Sequence, residues 1–206
     1  GDLWTPYSVG PAWAPYSTGH WVWIRPWGWT WVDDAPWGFA PFHYGRWVYY
    51  RSNWCWAPGT RVHRPVYAPA LVAWVGGPHV SVSVNIGGPV VGWFPLAPRE
   101  VYVPSYRVSP RYVREVNYTH VTNITNITQY VGTPQAAVEQ RDFSNRKFAH
   151  AVTVVPAGVF TQRQPVAPAA LSLRERSDAR ELTQGLARGA TLVAPPVQAP
   201  AVRTLE

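Results

Sequence analysis

The strongest constraint on this fold is a duplication. Residues 14–32, APYSTGHWVWIRPWGWTWV, align with residues 40–57, APFHYGRWVYYRSNWCWA. Pro15 matches Pro41, Gly19 matches Gly45 and Trp21 matches Trp47, each 26 residues apart. Trp29 and Trp31 match Trp54 and Trp56, 25 residues apart. The missing residue falls between the two aromatic pairs, where a turn should be. Side chains alternate faces along a strand, so this spacing predicts two β-hairpins with their aromatics on one face. A three-residue turn at 25–27 sets Trp21 opposite Trp31 and Trp23 opposite Trp29. A two-residue turn at 51–52 sets Trp47 opposite Trp56 and Tyr49 opposite Trp54. A register slip of one residue would scatter these rings over both faces. A third, partial copy is suggested by TPYSVGPAW, residues 5–13.

An isolated hairpin is marginal in water. The eight aromatics Trp21, Trp23, Trp29, Trp31, Trp47, Tyr49, Trp54 and Trp56 therefore read first as a core, stacked between successive hairpins. They read second as an exposed platform for a ligand. Residues 1–59 hold 11 of the 13 tryptophans of the 206-residue chain. Only 14% of residues are charged, which suits a surface that meets something other than water. The net charge of +7, carried by 17 Arg and 1 Lys, admits anionic partners such as nucleic acid, lipid headgroups or acidic polysaccharide. A single cysteine, Cys55, excludes an internal disulfide framework. No apolar run reaches the roughly 20 residues that a membrane-spanning helix needs. The chain opens on GDLW with no initiator Met and no signal segment, which reads as a processed or truncated product.

Beyond the repeats, residues 60–160 read as a β region cut by Pro and Gly. PHVSVSVNIGGPV, residues 78–90, alternates as a strand with one wet side. The prolines at 95, 98, 104 and 110 argue against a central strand and for extended edge segments. Arg99, Arg107, Arg111 and Arg114 interleave there with Tyr102, Tyr106 and Tyr112. Such interleaving binds single-stranded nucleic acid in some proteins. Cation–π packing inside the protein or at an interface is the simpler reading. VTNITNITQ, residues 121–129, has a period of three and predicts an irregular extended segment. The N-x-T sequons at Asn117, Asn123 and Asn126 read as coincidental. HAVTVVPAGVF, residues 150–160, predicts a strand ended by Pro156. Residues 161–206 form a Pro/Ala/Arg tail, with one possible helix over 171–188 ending near Gly189. The expected fold is thus mainly β: short antiparallel hairpin repeats, a small β region, long Pro-rich arms and at most one short C-terminal helix.

The stretches WAPYSTGHWVWIRPWGWTWVDDAPWGFAPFHYGRWVYY, WCWAPG, GWFPLAPREVYVPSYRVSPRYV and VNYTHVTNITNIT resemble an uncharacterised family of exported bacterial proteins with WxPY/GRW-type tryptophan repeats. That family is known as a domain of unknown function, and some members carry a FecR-type domain upstream. The resemblance covers residues 10–160. It implies an exported protein of the periplasm, outer-membrane surface or extracellular space. It brings no activity, cofactor or catalytic residue.

Catalysis finds little footing in the residues. The six histidines are scattered, and no GxSxG, P-loop or GxGxxG occurs. A noncanonical catalytic site at Asp33, Asp34 and His43 is a third reading, but no histidine lies close to the aspartates in sequence, and a turn role suits them better. No metal or other cofactor is expected. The reading that follows is a non-catalytic structural or accessory subunit of a bacterial envelope or extracellular assembly. Its partners would be other protein subunits, met through aromatic hairpins and extended arms. The alternative is a carbohydrate-binding module stacking cell-wall sugars or exopolysaccharide on Trp21, Trp23, Trp47 and Tyr49.

Overall fold

The computed structural model describes residues 2–75, 90–104, 108–121 and 143–171. Among these residues, seven strands, β1 to β7, form two hairpins and one three-stranded sheet. β1 (Gly19–Ile24) pairs antiparallel with β2 (Gly28–Asp33), with Trp21 opposite Trp31 and Trp23 opposite Trp29. β3 (Arg46–Tyr50) pairs antiparallel with β4 (Asn53–Ala57), with Trp47 opposite Trp56 and Tyr49 opposite Trp54. Both registers are those the repeat predicts. The tight turn of the second hairpin puts Arg51 at φ 47° and Ser52 at φ 61°. Two left-handed residues in a row match the right-handed twist of the flanking strands. The first hairpin closes over three residues and re-enters at Gly28, φ 78°, which glycine adopts without steric cost.

The suggested third copy is not a hairpin. Residues 5–13 form turns, and the segment before them adds to the second hairpin instead. There Trp4 N–H donates to Trp56 O at 2.9 Å, and Trp56 N–H returns the bond to Trp4 O at 2.7 Å.

The sheet runs β5 (Val72–Val75), β6 (Val90–Pro95), β7 (Thr153–Pro156), with β6 in the middle. This corrects the expectation that prolines keep Trp93–Pro95 out of a central strand. Pro95 is the last residue of β6 and lies past the β7 ladder, which ends at Trp93 opposite Thr153. Its missing N–H therefore breaks no bond to β7. The strand expected over 80–86 lies outside the described residues, as do the Thr/Asn-rich run after 121 and the possible helix over 171–188.

Among the described residues, four short α-helices accompany the strands: α1 (Ala40–His43), α2 (Pro110–Asn117), α3 (Gly158–Thr161) and α4 (Val166–Ala169). The expectation of at most one helix, placed near the C-terminus, is corrected by α2. It replaces the extended segment expected there. Ser109 Oγ accepts from Tyr112 N–H as the N-cap, and Pro110 occupies the first turn, where no intrahelical N–H bond is lost. Within the stretch expected as tail, Val166 of α4 is fully buried against the core.

Each side of the sheet faces a different cluster. Val72, Trp74, Val91, Trp93 and Val155 pack with the first hairpin, α3 and α4. Ala73, Phe94 and Val154 pack with Val116 of α2 and with Phe143. A strand covered on both faces reads as near-continuous hydrophobicity, as VVGWFP does. Trp21 sits at the centre of the larger cluster. Its ring lies 5.2 Å from Trp31, 4.7 Å from Trp74, 5.3 Å from Trp93 and 5.3 Å from Phe160. Burying one such ring stabilises the fold by roughly 4–6 kcal/mol at about 25 cal/mol per Å².

The hairpins do not stack directly on one another. Tyr16 and Phe42 stand between them, in a chain of contacts running Trp31–Tyr16–Phe42–Trp47. Backbone bonds complete the joint. Trp31 N–H donates to Pro69 O and Trp47 N–H to Leu96 O, both at 3.0 Å.

Candidate functional site

The repeated aromatic face is interior. Trp21 and Trp31 are 0% exposed and Trp47 is 1% exposed, while Trp29 and Trp54 are buried. Trp23, Tyr49 and Trp56 are half-buried. A glycan platform of Trp21, Trp23, Trp47 and Tyr49 is therefore closed at two of its four members. Buried indole N–H groups need acceptors. Trp31 Nε1 donates to Asp33 Oδ2, Trp47 Nε1 to Pro41 O, Trp56 Nε1 to Tyr44 O and Trp93 Nε1 to Tyr16 O, each at 2.9 Å. Trp21, Trp23 and Trp54 have no acceptor for Nε1 among the described residues.

Asp33 and His43 are bound into the scaffold. Asp33 also accepts from Ala35 N–H at 2.9 Å, which closes the turn between the repeats. Burial pushes its carboxyl up to about 6 against these two donors. Asp34 is exposed, and its N–H donates to Thr18 O. His43 Nδ1 lies 2.8 Å from Ala68 O, its ring stacks on Tyr67 at 4.7 Å, and burial lowers its pKa. No group of three or more His, Cys, Asp or Glu is placed to hold a metal ion among the described residues.

The basic–aromatic segment is split by the fold. Tyr102 is buried beside Asn117, and Arg99 is exposed at φ 70°. Tyr106 and Arg107 lie outside the described residues. On α2, Arg111 and Arg114 face solvent, while Tyr112 turns inward and its hydroxyl donates to Tyr67 O at 2.7 Å. Arg111 Nε pairs with Glu115 Oε1 at 2.7 Å, one helical turn on. A cation–π contact occurs elsewhere, in the turn of the second hairpin, with Arg51 5.2 Å from the Tyr50 ring.

Sequence reasoning missed two features. The first is a buried polar hub around Arg46. Its Nη1 donates to Gly45 O, its Nε and Nη2 to Glu100 O, and its Nη2 to Asn117 Oδ1. Burial lowers the guanidinium pKa to about 10, so it stays charged at neutral pH. Asn117 is fully buried and uses its whole side chain. It accepts from Arg46 and Tyr102 N–H, and it donates to Tyr102 O and Val113 O. The sequon at 117 is thus sealed in the core. Asn145 repeats the device, donating to Trp47 O and Pro95 O at 2.9 Å. Glu100 Oε2 and Oε1 accept from Ala97 N–H and Ser144 N–H at 2.7 Å, while burial raises its pKa.

The second feature is a cleft of about 1020 Å³ between α1, the segment 58–66 and α2. Leu71 and Val116 form its floor, and both are buried. Phe39, Val62 and Val66 make apolar walls; Phe39 is 64% exposed. Arg61 and Arg64 line it from the segment 58–66, exposed and without an ion pair or hydrogen bond among the described residues. Arg111 lines it from α2, already paired with Glu115. Asp2 supplies a carboxylate of its own. The stretch GTRVHRP, residues 59–65, carries two arginines directly after the repeats, and that was the available sequence signal.

No helix among the described residues is long and apolar enough to cross a membrane. No curated protein and no solved structure significantly matches the chain. A family model described as a family of unknown function, DUF6600, matches residues 1–100, and over that stretch, which holds both repeats, the chain is similar to that family.

Proposed function

We infer that this chain is a non-catalytic accessory subunit of a bacterial envelope or extracellular assembly, working by binding. Its contact surface is the cleft between α1 and α2 rather than the tryptophan hairpins. The carrying observation is the division of labour in the structure. The hairpin aromatics and the buried titratable groups Asp33, His43, Arg46 and Glu100 are held by backbone or core partners. The cleft instead presents two uncommitted guanidiniums over an apolar floor. Open apolar clefts with a few polar groups are where proteins of this size take ligands. The exported location rests on the resemblance of the repeat motifs. Native mass determination of the chain isolated gently from its own cells tests the reading. The expected result is a mass above that of the chain alone, with the excess lost in Arg61→Glu/Arg64→Glu. The bare chain mass in every fraction contradicts it.

A further inference from the structure

The geometry points to a single-chain amphiphilic anion, an apolar tail bearing a carboxylate or phosphate head, as the occupant of the cleft. This rests on the reading that the cleft is the binding surface. Three observations select the class. First, the lining carries a set of apolar side chains, Leu71, Val116, Val62, Val66 and the Phe39 ring, for a hydrocarbon tail to cover. Second, the free charge is positive. Arg61 and Arg64 are unpaired among the described residues, whereas Glu115 is neutralised by Arg111 and Asp2 alone opposes them. Guanidinium forks match carboxylate and phosphate oxygens in bidentate geometry. Third, about 1020 Å³ is close to the upper end of the roughly 300–1,000 Å³ usual for clefts that take one small molecule.

The tail lies over Leu71 and Val116 and the head sits between Arg61 and Arg64. No bond is made or broken. The complex forms by apolar burial, with charge pairing fixing the orientation.

Titration calorimetry with saturated fatty acids from hexanoate to decanoate, below their micelle concentrations, tests this. Each added methylene should tighten binding about fourfold until the cleft is filled. Decanol, with the same tail and no charge, should bind at least tenfold more weakly than decanoate. Arg61→Gln/Arg64→Gln should lose at least tenfold for decanoate and little for decanol. Both arginines are exposed, so the variant should unfold at the same urea concentration as the parent, which checks that the fold is intact. Affinity that ignores tail length, or is unchanged by the double substitution, overturns the proposal. So does binding confined to phosphatidylglycerol vesicles, or an oligogalacturonate that binds as tightly as decanoate. If the native mass excess is present and arginine-dependent while fatty acids do not bind, this inference falls and the accessory-subunit reading stands. If the excess is absent too, both fall.

Discussion

Arg46 shows how a single residue organises this chain. It follows the left-handed Gly45, φ 73°, where a Cβ would collide with the Trp56 indole and with Ala57 O at 2.6 Å. That tight approach lets the guanidinium enter the core and gather the carbonyls of Gly45 and Glu100 and the amide of Asn117. Asn117→Ala removes four hydrogen bonds and leaves buried partners unmet, so it should cost at least about 3 kcal/mol in urea unfolding. Asp33 gives a pH signature. Its folded pKa of about 6 lies above the ordinary 3.8, so the fold takes up a proton there. That contribution to stability is present at low pH and is lost as pH rises from about 4 to about 6. Glu100 acts in the same direction. His120, lowered from 6.5 to about 4 mainly by burial, acts oppositely, losing stability as pH falls through that range, and the lowered His43 acts in the same sense as His120 below 6.5. The diagnostic is therefore a difference. Relative to Asp33→Asn, the parent should lose thermal stability as pH rises through 4–6, and parallel profiles would refute the assignment.

At the scale of elements, the hairpins were legible because three independent signals agreed: the offset of 26, the one-residue deletion and the period of two. The turn residues were less so, since Arg51–Ser52 carries no glycine or asparagine, yet both residues are left-handed. Arg51→Asn/Ser52→Gly should relieve that strain, adding about 1 kcal/mol and raising Tm by about 2–4 °C in calorimetry. α2 is hard to read because the same prolines that break strands can, as at Ser109–Pro110, start a helix. Ser109→Ala should cost about 1 kcal/mol of stability. The buried hub was illegible for a different reason. Gly45, Glu100, Asn117 and Asn145 come from four separate segments, and no local pattern marks an asparagine whose partners lie 50 or more residues away. The cleft likewise draws on α1, α2 and the loop between the repeats and the sheet.

For the whole molecule, the duplicated tryptophans are the cohesion of the fold, and the proposed recognition surface is the cleft. The ring chain from Trp74 through Trp21 and Trp31 to Tyr16, Phe42 and Trp47 ties both hairpins to the sheet. A core so continuous should unfold as one unit. The most direct test is urea unfolding of Trp21→Ala, followed by tryptophan fluorescence and far-ultraviolet circular dichroism together. The account predicts a loss of about 3–5 kcal/mol with the two signals still coincident. A loss below about 1 kcal/mol, or a first hairpin that melts alone while the sheet persists, would contradict it.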